Sequence, residues 1–407
     1  MTTQADAPNP DTPQSPITAV THRDPYPYYA ELVAQTPLYY SDALQLWIAC
    51  GADAVNAVLT SDLCHVRPPA EPVPKALLGS AAGDIFRHLV RMNDGETHRP
   101  MKQAVSSTFA TLDMAFVTEE SARWACTLSR EVAGESDFSE LTEFSFTFPV
   151  FVVASLIGVP PTDLPEVAMW LRNFVGCLAP SGSPEQIELG KIAAGHLLDL
   201  FRGLLADNPT RSGDGVLSRF AGGATQSGIK DREAIIANAI GFLSQAFEAT
   251  AGLIGNSLVT LASHDEVRQQ VRRDPDILLK VVREVVRFDA PIQNTRRFVA
   301  TSGIVAGEEM REGDAVLVVL AAANRDPAAN ALPAKFDLNR KERQVFTFGV
   351  GRHACPGEML ATTIAKAGVS QLIERGIRLE ELVDSFTYRA SANARIPIWA
   401  QTGHFGG

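Results

Sequence analysis

Cysteine is scarce in this sequence. Cys50, Cys64, Cys126, Cys177 and Cys355 are the five in 407 residues, widely spaced and odd in number. None stands at C-x-x-C spacing, which argues against a zinc site or a disulfide framework. Positive charge is also short: 36 Lys and Arg face 47 Asp and Glu, a net charge of -11. With no basic stripe carrying interleaved aromatics, the chain is not expected to bind nucleic acid. The longest apolar run, Phe144 to Pro160, contains Pro149. It falls short of the roughly 20 clean apolar residues that a membrane span needs. The run reads as a buried helix. The polar, proline-rich start, MTTQADAPNPDTPQSP, has no apolar signal-peptide core. A soluble cytoplasmic protein with no membrane partner is the expectation.

What is present is a globular composition, 45% hydrophobic and 20% charged. Residues 1–18 read as a disordered N-terminal tail, and 19–407 as one large domain, because no convincing linker divides them. Helical spacing begins near Asp24, and ADAVNAVLTSD reads as a second helix. Residues 66–92 read as a long loop with short helical turns. Helical patterns dominate from His98 to Thr260, broken at GVPPTDLP, APSGSPEQ, DNPTRSGDG and AGGATQSG. The stretch from Asp231 to Ser263 has no proline and few charges after its start. It predicts a very long helix through the core. A further helix is stopped by Pro291. RRFVATSGIVAG and DAVLVVLAAA read as strands, and SFTYRASANARIPIWA as a closing hairpin. The fold class is mainly α with small β-sheets.

FTFGVGRHACPGEML, Phe346 to Leu360, sets one cysteine among glycines. A glycine-rich turn offers backbone N–H groups to a thiolate sulfur. Pro356 suits the first turn of a following helix, whose N-terminus favours the charged thiolate. One thiolate alone holds a bare metal poorly. It can serve as the single axial ligand of a haem.

The pattern Phe348-x-x-Gly351-x-x-x-Cys355-x-Gly357 resembles the haem-ligand loop of the cytochrome P-450 superfamily. Three further matches follow in family order: Glu284-x-x-Arg287, Asn324-Arg-Asp-Pro327, and Phe336-Asp-Leu-Asn-Arg340. The resemblance covers about Asp24 to Trp399. It implies the cytochrome P-450 fold and a haem b whose iron is ligated by Cys355. Glu284, Arg287 and Arg340 would form a buried triad that holds the connection to the cysteine loop. Phe348, Gly351 and Gly357 would shape the loop around the haem. Its carboxylates would meet His98, Lys102, Arg297 and His353. Family members often carry arginine where Lys102 stands, and many carry another at Pro100. The substrate wall would include residues 66–92, 179–185 and 292–295, and Phe247. The activity implied is that of a soluble, bacterial-type monooxygenase, inserting one atom of O2 into a small apolar or amphipathic molecule. No flavin or iron–sulfur domain fits after Trp399, so a ferredoxin and its reductase are the expected electron donors.

The long helix departs from the family pattern. Gln245-Ala246-Phe247-Glu248-Ala249-Thr250 keeps the family's acid as Glu248 but has Ala249 in place of the usual threonine. In the family that hydroxyl orients the water that carries protons to the oxygen. Three replacements stay open. In one, the substrate supplies a hydroxyl or amine with ordered water, as in macrolide-hydroxylating relatives with a Glu-Ala pair. In another, Thr250 or Gln245 reaches the site. Or the enzyme uses peroxide or nitrogen oxides. A non-catalytic haem sensor is a third class, for which Glu248 has no evident use.

Overall fold

The computed structural model describes residues 12–130, 132, 138–179, 182–206 and 215–399. Its first helices are α1 (Tyr26–Gln35), α2 (Ala52–Thr60), α3 (Ala81–His88), α4 (Gly95–Ala110) and α5 (Met114–Leu128). Then come α6 (Ser139–Ile157), α7 (Leu164–Leu178), α8 (Pro184–Ala206), α9 (Val216–Gln226) and α10 (Arg232–Ser263). The last four are α11 (Asp265–Arg273), α12 (Leu278–Phe288), α13 (Leu320–Asn324) and α14 (Glu358–Glu374). The strands are β1 (Leu38–Ser41), β2 (Leu46–Ala49), β3 (Cys64–His65), β4 (Thr295–Val299) and β5 (Gly303–Val305). They continue with β6 (Glu308–Met310), β7 (Ala315–Val318), β8 (Phe386–Tyr388) and β9 (Pro397–Trp399).

The predicted long helix is α10. Asp231 caps it, its carboxylate accepting from the N–H groups of Glu233 and Ala234 at 3.0 and 3.4 Å. From there α10 packs against α3, α6, α8, α12 and α14. Such a position demands apolar residues on most faces, and that is how the sequence reads. Helix α6 alone is long and apolar enough to cross a membrane among the described residues, but most of it is buried inside the protein.

The strands form a sheet of order β1-β2-β7-β4-β3, in which only β2 and β7 run parallel, and two hairpins, β5-β6 and β8-β9. The fold is thus mainly α with small sheets, as predicted. Local readings shift in three places. RRFVATSGIVAG is two strands in different sheets, β4 and β5. The DAVLVVLAAA strand stops at Val318. Ala321–Ala323, strong helix formers, go on into α13 instead. The 66–92 loop contains a true helix, α3, capped by the Ser80 hydroxyl accepting from the Gly83 N–H at 3.2 Å.

Of the expected tail, residues 1–11 lie outside the described residues. Within 12–18, Pro13 and Pro16 are buried, and Ser15 and Thr18 bond each other. The next segment is tied to the far end of the chain. Arg395 donates to the carbonyls of Val20, His22 and Arg23 at 3.1, 2.6 and 2.9 Å. Its Nε donates to Asp289 at 2.7 Å, and Asp289 also accepts from the Tyr26 hydroxyl.

Candidate active site

The connection from α13 to the cysteine loop has little regular structure, so its backbone must be held from outside. Glu284 and Arg287, buried on α12, do this with Arg340. Arg287 bonds Glu284 at 2.6 and 3.1 Å, and donates to the carbonyls of Asn324, Pro333 and Lys335. Arg340 reaches the same carboxylate oxygen at 3.3 Å, and donates to Ala331, Leu332 and Lys335. Asn324 then carries the order forward. Its amide donates to Thr347 Oγ1 and accepts from the Phe346 N–H, both at 2.7 Å.

The loop turns on Gly349 and Gly351, both at φ +68°, a conformation costly for any side chain. The Cys355 N–H donates to the Phe348 carbonyl at 2.7 Å, and the Gly357 N–H donates to the Cys355 sulfur at 3.3 Å. Arg352 ties the loop to the carbonyls of Ser61 and Cys64 and pairs with Asp62. Cys355 is open to water, yet burial is the main influence on its thiol. The helix N-terminus was expected to favour the thiolate. Here burial outweighs it and pushes the thiol up, against the pull of the Gly357 N–H and Lys102.

His98 and Lys102 share a face of α4, as their spacing requires. Lys102 Nζ donates to the Ala354 carbonyl, beside the cysteine. The buried His98 ring packs on that of His353 with centroids 4.2 Å apart, and its Nε2 has no partner. Burial, then the neighbouring His353 and Lys102, pull His98 down to about 4. His353 Nε2 bonds Asp94 Oδ1 at 2.9 Å, while Asp94 Oδ2 accepts from the Val66 N–H. Arg297, on β4, is buried too, and burial lowers its pKa.

Asp94 escaped the sequence reading, because nothing local links it to a histidine more than 250 residues away. Burial raises its pKa, but the His353 and Val66 hydrogen bonds win and hold it at about 2. A carboxyl held below its ordinary 3.8 contributes stability above that value and loses it as pH falls toward 2. Asp94→Asn should therefore lower stability at neutral pH and flatten this part of the acid-unfolding curve. Circular dichroism across pH 2–7 reads both. An unchanged acid limb would exclude the role.

Between Ala234 and Ala262, α10 is buried except at Phe242, Gln245, Ala246, Glu248, Ala249 and Val259. The first five recur at helical spacing and form one accessible stripe. Ala249 lies on it, whereas Thr250 is buried on another face. Gln245 is the most open of the set. Glu248 is paired. Arg389, in the β8-β9 hairpin, donates to it at 2.9 Å and lies 5.3 Å over the Phe146 ring. Arg389 too was missed, since no spacing joins it to Glu248.

A family model, Cytochrome P450, matches residues 231–375, which span α10, the Glu284–Arg287 pair and the cysteine loop. The chain belongs to the cytochrome P450 superfamily. It is similar to the 6-deoxyerythronolide B hydroxylase of Saccharopolyspora erythraea, 28% identical over 87% of this chain and 89% of that one. The Vitamin D(3) 25-hydroxylase of Pseudonocardia autotrophica is 27% identical over 92% and 94%. The Biotin biosynthesis cytochrome P450 of Bacillus subtilis is 25% identical over 87% and 89%. Two solved structures share the fold at a TM-score of 0.79 and 24% identity. P450BioI, in complex with hexadec-9Z-enoic acid ligated acyl carrier protein, covers 92% of this chain and 97% of its own. CalO2 covers 94% and 97%. The P450 here is a monooxygenase by class, and the family's prosthetic group is a haem iron.

Proposed function

We propose that residues 19–407 form one haem domain of a soluble, cytoplasmic bacterial monooxygenase. It takes O2, electrons from a ferredoxin and its reductase, and a small apolar or amphipathic substrate. The observation that carries this reading is the Cys355 sulfur, open to water in a glycine loop and already accepting a backbone N–H. The other residues fit a haem b as well. The orphaned Nε2 of buried His98 lies near His353 and Lys102, and Arg297 lies near His353, so two cations and two imidazoles are available to the two carboxylates. Phe348, Gly351 and Gly357 set the loop's path around the sulfur. When bound, the haem supplies an iron at which O2 is reductively activated.

The chain's own residues then have two tasks. Cys355 ligates and donates electron density. The accessible stripe of α10 orients substrate and moves protons. On that stripe the polar groups are Gln245 and Glu248. With no hydroxyl at Ala249 and Thr250 turned away, the relay runs through water between these two, or through a polar group of the substrate.

Product formed per NADPH consumed tests this relay. Glu248→Gln should slow turnover of the true substrate on the order of tenfold or more. Ala249→Thr should leave coupling unimproved, because the added methyl and hydroxyl crowd the water. A several-fold gain in coupling with every substrate would mark the site as a damaged relay. The missing hydroxyl also favours a second reading, an enzyme that uses peroxide or nitrogen oxides. Full turnover with peroxide alone, indifferent to Glu248→Gln, would establish it over the first.

A further inference from the structure

Two arginines from other segments, Arg91 and Arg389, act on the one carboxylate of the accessible α10 stripe, Glu248. The segment Leu89–Met92 docks on α10 through Asn238, which accepts from the Val90 N–H and donates to the His88 carbonyl, both at 2.7 Å. A Cβ on Gly241 would come within 3.0 Å of the Leu89 side chain, so the segment lies close to the helix there. Asn238, Gly241, Gln245 and Glu248 recur at i, i+3, i+7 and i+10, on one side of α10. Arg91 follows Val90, above this side. It is open to water, yet burial lowers its pKa to about 10, and Glu248 is the group that pulls it back up. Among the described residues no carboxylate lies within ion-pair distance of Arg91. Its guanidinium donates to the Met92 sulfur at 3.7 Å. Arg389 approaches from the opposite element and already bonds Glu248 at 2.9 Å. Arg389 thus takes up Glu248, and Arg91 is left near it with no carboxylate of its own. A guanidinium so placed is open to an incoming anion.

We propose that the substrate is an organic acid: its carboxylate docks on Arg91 and Arg389 beside Glu248, and its apolar body lies along Phe242, Ala246 and Ala249. This rests on the haem-thiolate reading and narrows its substrate class. Arginine suits the task, because its planar fork accepts a carboxylate with two parallel hydrogen bonds. The acid anchors one end of the molecule and the apolar stripe receives the rest.

The test uses the full-length, haem-loaded chain and the low-spin to high-spin optical shift. The probes are a panel of carboxylic acids, from dodecanoate to aromatic and polycyclic acids, each paired with its methyl ester. Acids that give a shift should bind at least about tenfold tighter than their esters, the scale of a hydrogen bond to a charged group. Arg91→Leu should remove that advantage and leave ester binding in place, and Arg91→Lys should restore part of it. Glu248→Gln should act in the opposite direction. With the competing carboxylate gone, acids should bind several-fold tighter and esters unchanged. A panel in which no acid gives a shift, or in which esters match their acids, overturns the proposal. So does an Arg91→Leu variant that keeps the preference for acids. The reduced carbon monoxide spectrum, recorded on every sample, separates the two levels. Its long-wavelength band reports the haem-thiolate centre whatever the acids do, and its absence from the wild type would sink the underlying reading instead.

Discussion

Cys355→His should move the Soret band of the reduced carbon monoxide complex from the family's long-wavelength position to that of an imidazole-ligated haem. The expected change is complete, not partial. The other four cysteines are no substitute: Cys50, Cys64 and Cys177 are buried. Cys126 lies on α5, away from the glycine loop that delivers a backbone N–H to the Cys355 sulfur. Monooxygenase turnover should fall with the band, because the thiolate's electron donation is what favours O–O cleavage. Cys355→Ala, which offers no ligand, should lose haem far more readily than the histidine variant. A spectrum unchanged in Cys355→His would remove the assignment of this residue as the ligand.

The second large effect is expected at Glu284 and Arg287, which hold backbone and not substrate. Both side chains are essentially inaccessible, and Arg287 also serves three backbone carbonyls. Removing one partner leaves a buried charge uncompensated, at a cost of about 3–5 kcal/mol. Arg287→Met and Glu284→Gln should each lower the unfolding free energy by that much. Arg287→Lys should rescue little, because an ammonium cannot span carbonyls from Asn324 to Lys335 as the planar fork does. Chemical denaturation followed by circular dichroism gives the number. A loss below about 0.5 kcal/mol would reduce the pair to the rank of a surface substitution.

These two sites also show where the sequence was most legible. The cysteine loop and the Glu284–Arg287 pair are local patterns, a few residues at fixed spacing, and the structure forms the buried Glu284–Arg287–Arg340 contacts and the glycine turns before Cys355. Helix α10 was legible for a similar reason, since thirty residues without a helix breaker leave little choice. Legibility failed where partners come from distant segments. Asp94 meets His353, Arg389 meets Glu248, and Arg91 rides on a segment anchored by Asn238. None of these pairs leaves a periodic trace. It also failed where burial reverses a local tendency. A helix N-terminus favours a thiolate, but the enclosure around Cys355 pushes the thiol the other way. Thr250 is a milder case. Adjacent in sequence to Ala249, it is turned some 100° around the helix and lost to the stripe.

The clasp between Arg395 and the carbonyls of Val20, His22 and Arg23 sets a timetable for synthesis. Arg395 is added 375 residues after Val20. At typical translation rates of about 5–20 residues per second, that is a delay of roughly 20–75 s. Throughout it, the segment from Val20 to Arg23 has none of the three hydrogen bonds that hold it in the finished protein. The buried aspartate between them, Asp289, likewise waits for its guanidinium. Local helices such as α5 and α6 have no such wait. The segment Val20–Arg23, made long before Arg395, is therefore among the last to settle. A nascent chain halted before residue 395 should remain open to protease near residues 20–23, while its helical body is already protected.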